Sequence, residues 1–339
     1  MGFPMLIFTL KRFLNSIFVL LAASFIVYMF AASQYDPLQK LRQQPQLQPG
    51  TIERQAHLLG LDRPLLERYW QWLSHLIRFD FHSIAFIRFN FGTDVNNTSV
   101  STQLATRLEI TMRMVLLAIV AAIIIAIIAG VISGVRRDKP IDFVVTILTF
   151  MLIALPTFFF AALLKQGAIY LNQHAGTDFK TTGDEDFGIS TYGTHSEILH
   201  SQLLHLILPT ISLALITTAA WIRYQRASMI DVLEADYLRL ARAKGVRWPT
   251  VVRRHGLRNA LIPLTTVVAI DVGALFGGAI ITERVYVWHG MGEYLNIALG
   301  AQDINAVVGW VMVSAIFVVA FNLFADLLYA ALDPRIRLA

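Results

Sequence analysis

Two carboxylates interrupt apolar stretches that hold no other charge: Asp271 within Leu261–Ile281 and Asp326 within Ala306–Leu332. A carboxylate in such surroundings turns toward a cavity or a polar partner, because facing lipid is costly. There it can take up a proton or a cation, or attract a positively charged solute. The other reactive residue types are not arranged for catalysis. The chain has no cysteine, which excludes disulfides, thiolate ligands and a cysteine nucleophile. Its nine histidines are scattered, and no pair shares a helical face beside a carboxylate, so no metal site is expected. Asp184-Glu185-Asp186-Phe187-Gly188 lacks the ligand spacing of a calcium loop. No Gly-x-x-x-x-Gly-Lys-Ser/Thr phosphate loop occurs. The chain is therefore not expected to be an enzyme or to hold a cofactor, and nothing points to nucleic acid.

The elements that position these carboxylates are membrane spans. Of 339 residues, 56% are hydrophobic and only 15% charged, too little polar surface for a soluble domain of this length. Six stretches reach the roughly 20 residues a bilayer demands: Phe13–Ala32, Met114–Val135, Phe143–Leu164, Leu206–Ile222, Leu261–Ile281 and Ala306–Leu332. The first follows Lys11 and Arg12 as a signal peptide would, but its apolar run is too long for one. The expected fold is an all-α integral membrane protein of six transmembrane helices. Lys11, Arg12, Arg136, Arg137, Lys139, the basic residues of 223–262, Arg335 and Arg337 fall on one side. By the positive-inside rule that side is cytoplasmic, as are both termini.

Three regions follow: 1–32, the N-terminus and first helix; 33–109, an extracytoplasmic subdomain; and 110–339, five helices with a loop at 223–262. In the subdomain, Asp62-Arg63-Pro64 predicts a helix start, with Asp62 as cap and Pro64 in the first turn. Leu66, Tyr69, Trp70, Leu73 and Leu76 or Ile77 then recur at helical spacing. Their apolar face is expected on the membrane surface or on the outer ends of the spans. Asn96-Asn97-Thr98-Ser99 matches overlapping glycosylation sequons, a short pattern that carries no weight alone. Residues 172–202 are read as a solvated loop. Ala122, Ala126, Gly130 and Gly134 recur every four residues, as do Gly273 and Gly277, a spacing that lets helix backbones approach closely. Pro156, Pro209 and Pro263 mark kinks or span boundaries.

The loop at 223–262 carries nine lysines and arginines. Asp236 to Lys244 reads as a short helix ended by Gly245, and Pro249 opens a second helix running to about Ala260. Tyr237, Leu240, Ala241 and Ala243 lie on the less polar sides of the short helix, beside Arg239, Arg242 and Lys244. Small alanines allow close approach, and the basic residues can meet carboxylates at the rim of a groove. Two readings stand: a docking element that carries force into the membrane, or a charged loop that fixes topology or touches anionic lipid.

Glu234-Ala235 through Gly245, with His255-Gly-Leu-Arg-Asn-Ala-Leu-Ile-Pro263, resembles the cytoplasmic loop of ABC importer permeases, closest to the dipeptide and oligopeptide "B" subunits. Leu59-Gly-Leu-Asp-Arg-Pro-Leu-Leu66, Gly277-Gly-Ala-Ile-Ile-Thr-Glu283, Gly290-Met-Gly292 and Asn322 through Arg335 resemble further motifs of that family, in the same order. The general Glu-Ala-Ala frame is replaced by Arg239-Leu240-Ala241 before Gly245, His289 stands where proline is common, and the segment Phe79–Phe91 is longer than usual. The resemblance implies that residues 236–245 dock into a cytoplasmic ATPase, with Glu234 and Ala235 adjoining. It implies two such ATPases, which hold ATP and Mg, a second homologous permease forming a heterodimer, an extracytoplasmic binding protein, and a peptide substrate. The setting is a bacterial cytoplasmic membrane and its lipid. Asp271, Gly273 and Gly277 are candidates for the translocation pathway. The alternative from the carboxylates is a gradient-driven transporter using Asp271 or Asp326; a scaffold or receptor without flux is a third class.

Overall fold

A computed structural model describes residues 3–43, 50–79 and 87–332. Arg335 and Arg337 fall outside them, and the side chains at Gly277 and Asp326 fall outside the described set. Helix α1 spans Phe3–Gln34, followed by α2 (Gln39–Arg42), α3 (Thr51–Leu58) and α4 (Leu65–Leu76). Short strands β1 (Ile77–Phe79) and β2 (Ile87–Phe89) pair antiparallel, Ile77 opposite Phe89. They fall at the two ends of the segment Phe79–Phe91 that looked longer than usual in the sequence; its residues 80–86 lie outside the described chain. Then come α5 (Val100–Val135), α6 (Pro140–Ala154), α7 (Thr157–Ala175), α8 (Ile189–Tyr192), α9 (His195–Glu234), α10 (Asp236–Ala243) and α11 (Trp248–Thr250). A π-helical turn, Val251–Gly256, leads into α12 (Leu257–Tyr286), and α13 (Met291–Ala301) and α14 (Ile304–Leu332) follow.

The described residues are nearly all helical, as expected. Stretches of α1, α5, α9 and α14 are long and apolar enough to cross a membrane, and α12 carries the expected stretch Leu261–Ile281. The expected span Phe143–Leu164 is two helices, α6 and α7, bent by 106° at Leu155-Pro156. Leu155 precedes a proline and is extended, at ψ 129°, because the proline ring disfavours the helical conformation in the residue before it. Pro209 and Pro263, by contrast, lie inside unbroken α9 and α12. Helix α9 begins at His195, where the Glu197 carboxylate accepts the Thr194 N–H at 2.8 Å, so the loop read over 172–202 ends earlier.

Backbone contacts divide the chain into two compact units, Met1–Ile110 with His289–Phe317, and Thr111–Trp288 with Val318–Ala339. In the first, α4 packs on α1: Tyr69 meets Phe25 edge-on at 5.1 Å and shares a 3.0 Å hydrogen bond with Ser24. Tyr69, Trp72 and Leu76 are buried, whereas Leu66 and Trp70 are exposed. Helix α4 starts later than its sequence indicates. Pro64 lies just before it, accepting the Arg68 N–H at 3.0 Å, and Asp62 is too far upstream to cap it.

In the second unit, α9 packs against α6, α7 and α12. The small-residue stripe of α5 meets α9: Ala122 and Ala126 are fully buried. A Cβ on Gly130 would lie 2.7 Å from the Gln225 Cβ, and one on Gly134 would lie 2.8 Å from the Met229 Cβ. Glycine at both positions is what permits this separation. A Cβ on Gly273 would lie 3.0 Å from Val318 of α14.

Candidate functional site

The segment after α9 is built to hold one short helix outward. Glu234 ends α9 and accepts from the Arg137 guanidinium at 2.9 Å. Ala235 is extended, ψ 141°, and so turns the chain before α10 begins at Asp236. At the other end Gly245 has φ +81°, which suits glycine because it has no Cβ. Its N–H reaches the Arg242 carbonyl at 2.9 Å, and the Val246 N–H reaches that of Ala241 at 3.3 Å. These bonds satisfy carbonyls that the last turn leaves open.

One side chain anchors the helix. Leu238 is 1% exposed, whereas Leu240 is 56% exposed. The sequence reading placed Leu240, Tyr237, Ala241 and Ala243 on the less polar sides and passed over Leu238. Leu238 turns toward Met229 and Gly256: a Cβ on Gly256 would meet Met229 at 3.3 Å and Leu238 at 3.9 Å. Tyr237 is partly exposed, and its hydroxyl accepts from Asn259 at 2.8 Å. Arg242 stacks over the Trp248 ring at 4.8 Å. Arg239 pairs loosely with exposed Asp236 at 3.7 Å, an interaction that contributes little in water. Leu240, Arg239, Ala243 and Lys244 thus form an outward face. The second helix expected from Pro249 to about Ala260 is not separate. It passes through the π-helical turn and continues into α12.

Asp271 lies on α12 and accepts the Trp221 indole N–H at 2.8 Å. It lines a cavity of about 240 Å³ with Thr157, Ser212, Thr217 and Thr282. The carboxylate therefore faces a partly polar cavity and a polar partner, as an intramembrane acid should. Gly273 is buried two residues on, against α14. The structure brings Asp271 together with threonines that the sequence did not single out. Among the described residues no cluster of three metal-ligating side chains occurs.

Two further acids escaped sequence reasoning. Asp142, 4% exposed, accepts from Arg226 Nε at 2.6 Å and Nη2 at 2.8 Å, and from the Asp138 N–H at 3.0 Å; Ser133 also donates to it. This bidentate clamp ties α6 to α9. Glu283, 1% exposed, accepts from Thr111. Partners 84 residues apart leave no spacing signal, although Asp142 three residues from Lys139 could have been read as a helix start.

In the first unit, the Asn96–Ser99 stretch is a tight turn rather than an open sequon loop. Asp94 accepts from the Asn96 and Thr98 N–H groups, the Thr98 hydroxyl and Gln103. Burial pushes its carboxyl up, but these hydrogen bonds outweigh it and leave the carboxyl below its ordinary value. Asp303 accepts the N–H groups of Val95 at 2.6 Å and Ala306 at 2.9 Å. Its burial dominates and raises its pKa.

Residues 122–338 match the family described as the binding-protein-dependent transport system inner membrane component, and residues 5–115 match its N-terminal region. The oligopeptide transport system permease protein OppB of Mycobacterium tuberculosis is 37% identical over 97% of this chain and 98% of its own length. The corresponding AppB protein of Bacillus subtilis is 32% identical over 97% and 99%. The glutathione transport system permease protein GsiC of Salmonella typhi is 31% identical over 98% and 99%. In fold, the chain is similar to one from the inward-facing MetNI methionine ABC transporter, with a TM-score of 0.53 at 14% identity, covering 68% of this chain and 97% of that one.

Proposed function

The chain belongs to the family of binding-protein-dependent transport inner membrane components, the permease subunits of ABC importers, and on that footing we propose that it carries di- or oligopeptides, or a related small solute, across a bacterial cytoplasmic membrane. It is not itself an enzyme; ATP hydrolysis in the family lies in a separate subunit. An ATPase, a binding protein and a second permease are its general partners. In this reading the second permease is a homologous, non-identical chain, and two ATPases hold ATP and Mg. Both termini are cytoplasmic. Residues 1–32 form the first span, 33–109 lie outside, and 110–339 form the permease core. The gradient-driven alternative gives way, because ATP supplies the drive.

The observation that carries the mechanism is the outward face of α10, held by Leu238 and rooted at both ends in helices that pack on each other. Residues 236–245 dock in a cleft of the ATPase, with Glu234 and Ala235 setting the approach. Closure of the ATPase pair on ATP displaces α10, and α9 and α12 follow as one body, a rigid rearrangement biased by nucleotide. Asp271, with Gly273 and Gly277 nearby, lines the pathway and favours a positively charged group on the solute.

The test is co-purification with the ATPase and substrate-stimulated hydrolysis in proteoliposomes. Leu240→Asp with Ala243→Arg alters only exposed positions. The expected result is a folded permease that no longer retains the ATPase. Unchanged association and unchanged hydrolysis would remove α10 from the interface. In the same vesicles, Asp271→Asn is expected to lose preference for cationic solutes.

A further inference from the structure

We propose that the first unit holds the phosphate headgroup of a membrane phospholipid, between α3, α4 and α1. A cavity of about 350 Å³ opens there, lined by Tyr28, Arg63, Arg68, Trp72, His75 and Asn305 among others, and by no carboxylate among the described residues. The Arg68 Nε is buried without a hydrogen-bond partner. Its guanidinium also interacts with the Tyr28 hydroxyl. A buried, unused donor of a planar cation is costly until an acceptor fills it, and a guanidinium fork matches phosphate oxygens. Arg63, 3.7 Å from Glu67, adds a second cation at the rim.

Position selects the occupant. Taking Phe13–Ala32 as the hydrocarbon-spanning part of α1, Tyr28 lies about 6 Å inside its outer end at 1.5 Å per residue. Tyr69 meets Ser24 and Phe25 deeper, about 10–12 Å inside that end. Helix α4 therefore packs against the outer part of α1, and the cavity at Tyr28 lies nearer the headgroups than the Tyr69 contact does. Its flanks fit that depth: Leu66 is 58% and Trp70 63% exposed, and Leu58, on the cavity edge, is 75% exposed. Exposed tryptophan beside apolar residues is typical of the interface. A soluble carboxylate or free phosphate shares the anion chemistry but has no use for these apolar flanks. The inference rests on α1 crossing a membrane, not on the solute or the direction of transport, so lipid binding and peptide uptake can fail independently.

The test is native mass spectrometry of the purified full chain, titrated in detergent with dioleoyl phosphatidylglycerol. The removal of one charge-assisted contact in Arg68→Gln is expected to weaken lipid binding by about tenfold or more. Arg54→Gln, which removes an exposed charge outside the cavity, is expected to leave it unchanged. Arg68→Lys, which keeps charge but loses the fork, and Arg63→Gln are expected to show smaller losses, and they carry the test should Arg68→Gln not fold. Equal effects of Arg54→Gln and the cavity variants would overturn the proposal. So would displacement of the lipid by millimolar inorganic phosphate or acetyl-dialanine, which would mark a site for soluble anions.

Discussion

Leu238→Ala measures how firmly α10 is attached. Leu238 is 1% exposed and sits beside Met229 and over Gly256. Burying a leucine side chain contributes about 1.5–3 kcal/mol, and truncation to alanine in a packed site, with the cavity it leaves, costs about 2–5 kcal/mol. The rest of the attachment is modest: the Tyr237–Asn259 hydrogen bond, the stacking of Arg242 on Trp248 and the turn hydrogen bonds at Gly245 and Val246. If Leu238 is the anchor, its loss is felt as local opening of α10, leaving the packing of α9 on α12 unaltered. The opening equilibrium should then rise between about 30-fold and several thousand-fold, at about 1.4 kcal/mol per decade. Hydrogen exchange of the α10 amides in the purified permease reads this directly, with α9 amides between Leu213 and Ile222 as the internal reference. The same variant should assemble with its ATPase yet transport fewer solutes per ATP, because a loosened helix absorbs the displacement it should transmit. Unchanged exchange across α10 would refute the anchoring argument, and uniformly faster exchange in α9 as well would show that Leu238 supports the whole unit.

Arg226→Ala should be strongly destabilising, by about 3–5 kcal/mol, because it leaves the Asp142 carboxylate buried without its cation; thermal unfolding in detergent should show a large drop in Tm, and Arg226→Met with Asp142→Leu should recover most of it. Asp303 binds its proton more tightly in the folded chain than in the unfolded one, because its pKa is raised. Its contribution to stability is therefore fully present below the ordinary aspartate value near 3.8 and is lost as pH rises through the folded value. Melting curves from pH 4 upward should thus fall more steeply in wild type than in Asp303→Asn. Asp94, whose pKa is lowered, acts in the opposite sense and only below about pH 3.8, outside that window.

The sequence carried the architecture well where one residue type has one physical consequence. Apolar length marked the spans, and Gly245 marked the end of α10 because few other residues tolerate φ +81°. The four-residue stripe from Ala122 to Gly134 marked a close helix contact without naming its partner. Elsewhere several outcomes share one signal. Pro156 marks a 106° bend, whereas Pro209 and Pro263 lie inside continuous helices, and no local pattern separates the two outcomes. Leu238 and Leu240 are two residues apart and so point to opposite sides of a helix. Which one faces inward depends on Met229 and Gly256, 9 and 18 residues away in the chain. The Asp142–Arg226 clamp was illegible for the same reason, since either residue alone reads as an ordinary span-end charge.

Met229 joins the two features that the sequence presented separately. It is fully buried. Its Cβ faces Gly134, at the end of the small-residue stripe of α5, and its Cε faces Gly256 beside Leu238. One flexible thioether thus fills the space between a tightly apposed helix pair and the root of α10. A displacement of α10 presses first on Leu238, then on Met229, and so on α9 at the level where Gly134 leaves no slack against α5. The turn of α9 before Met229 also holds Gln225, which faces Gly130, and Arg226, which holds Asp142 of α6. The anchor of α10 therefore coincides with a stretch of α9 packed closely against α5 and clamped to α6, so on the proposed docking a push on α10 passes to whole helices.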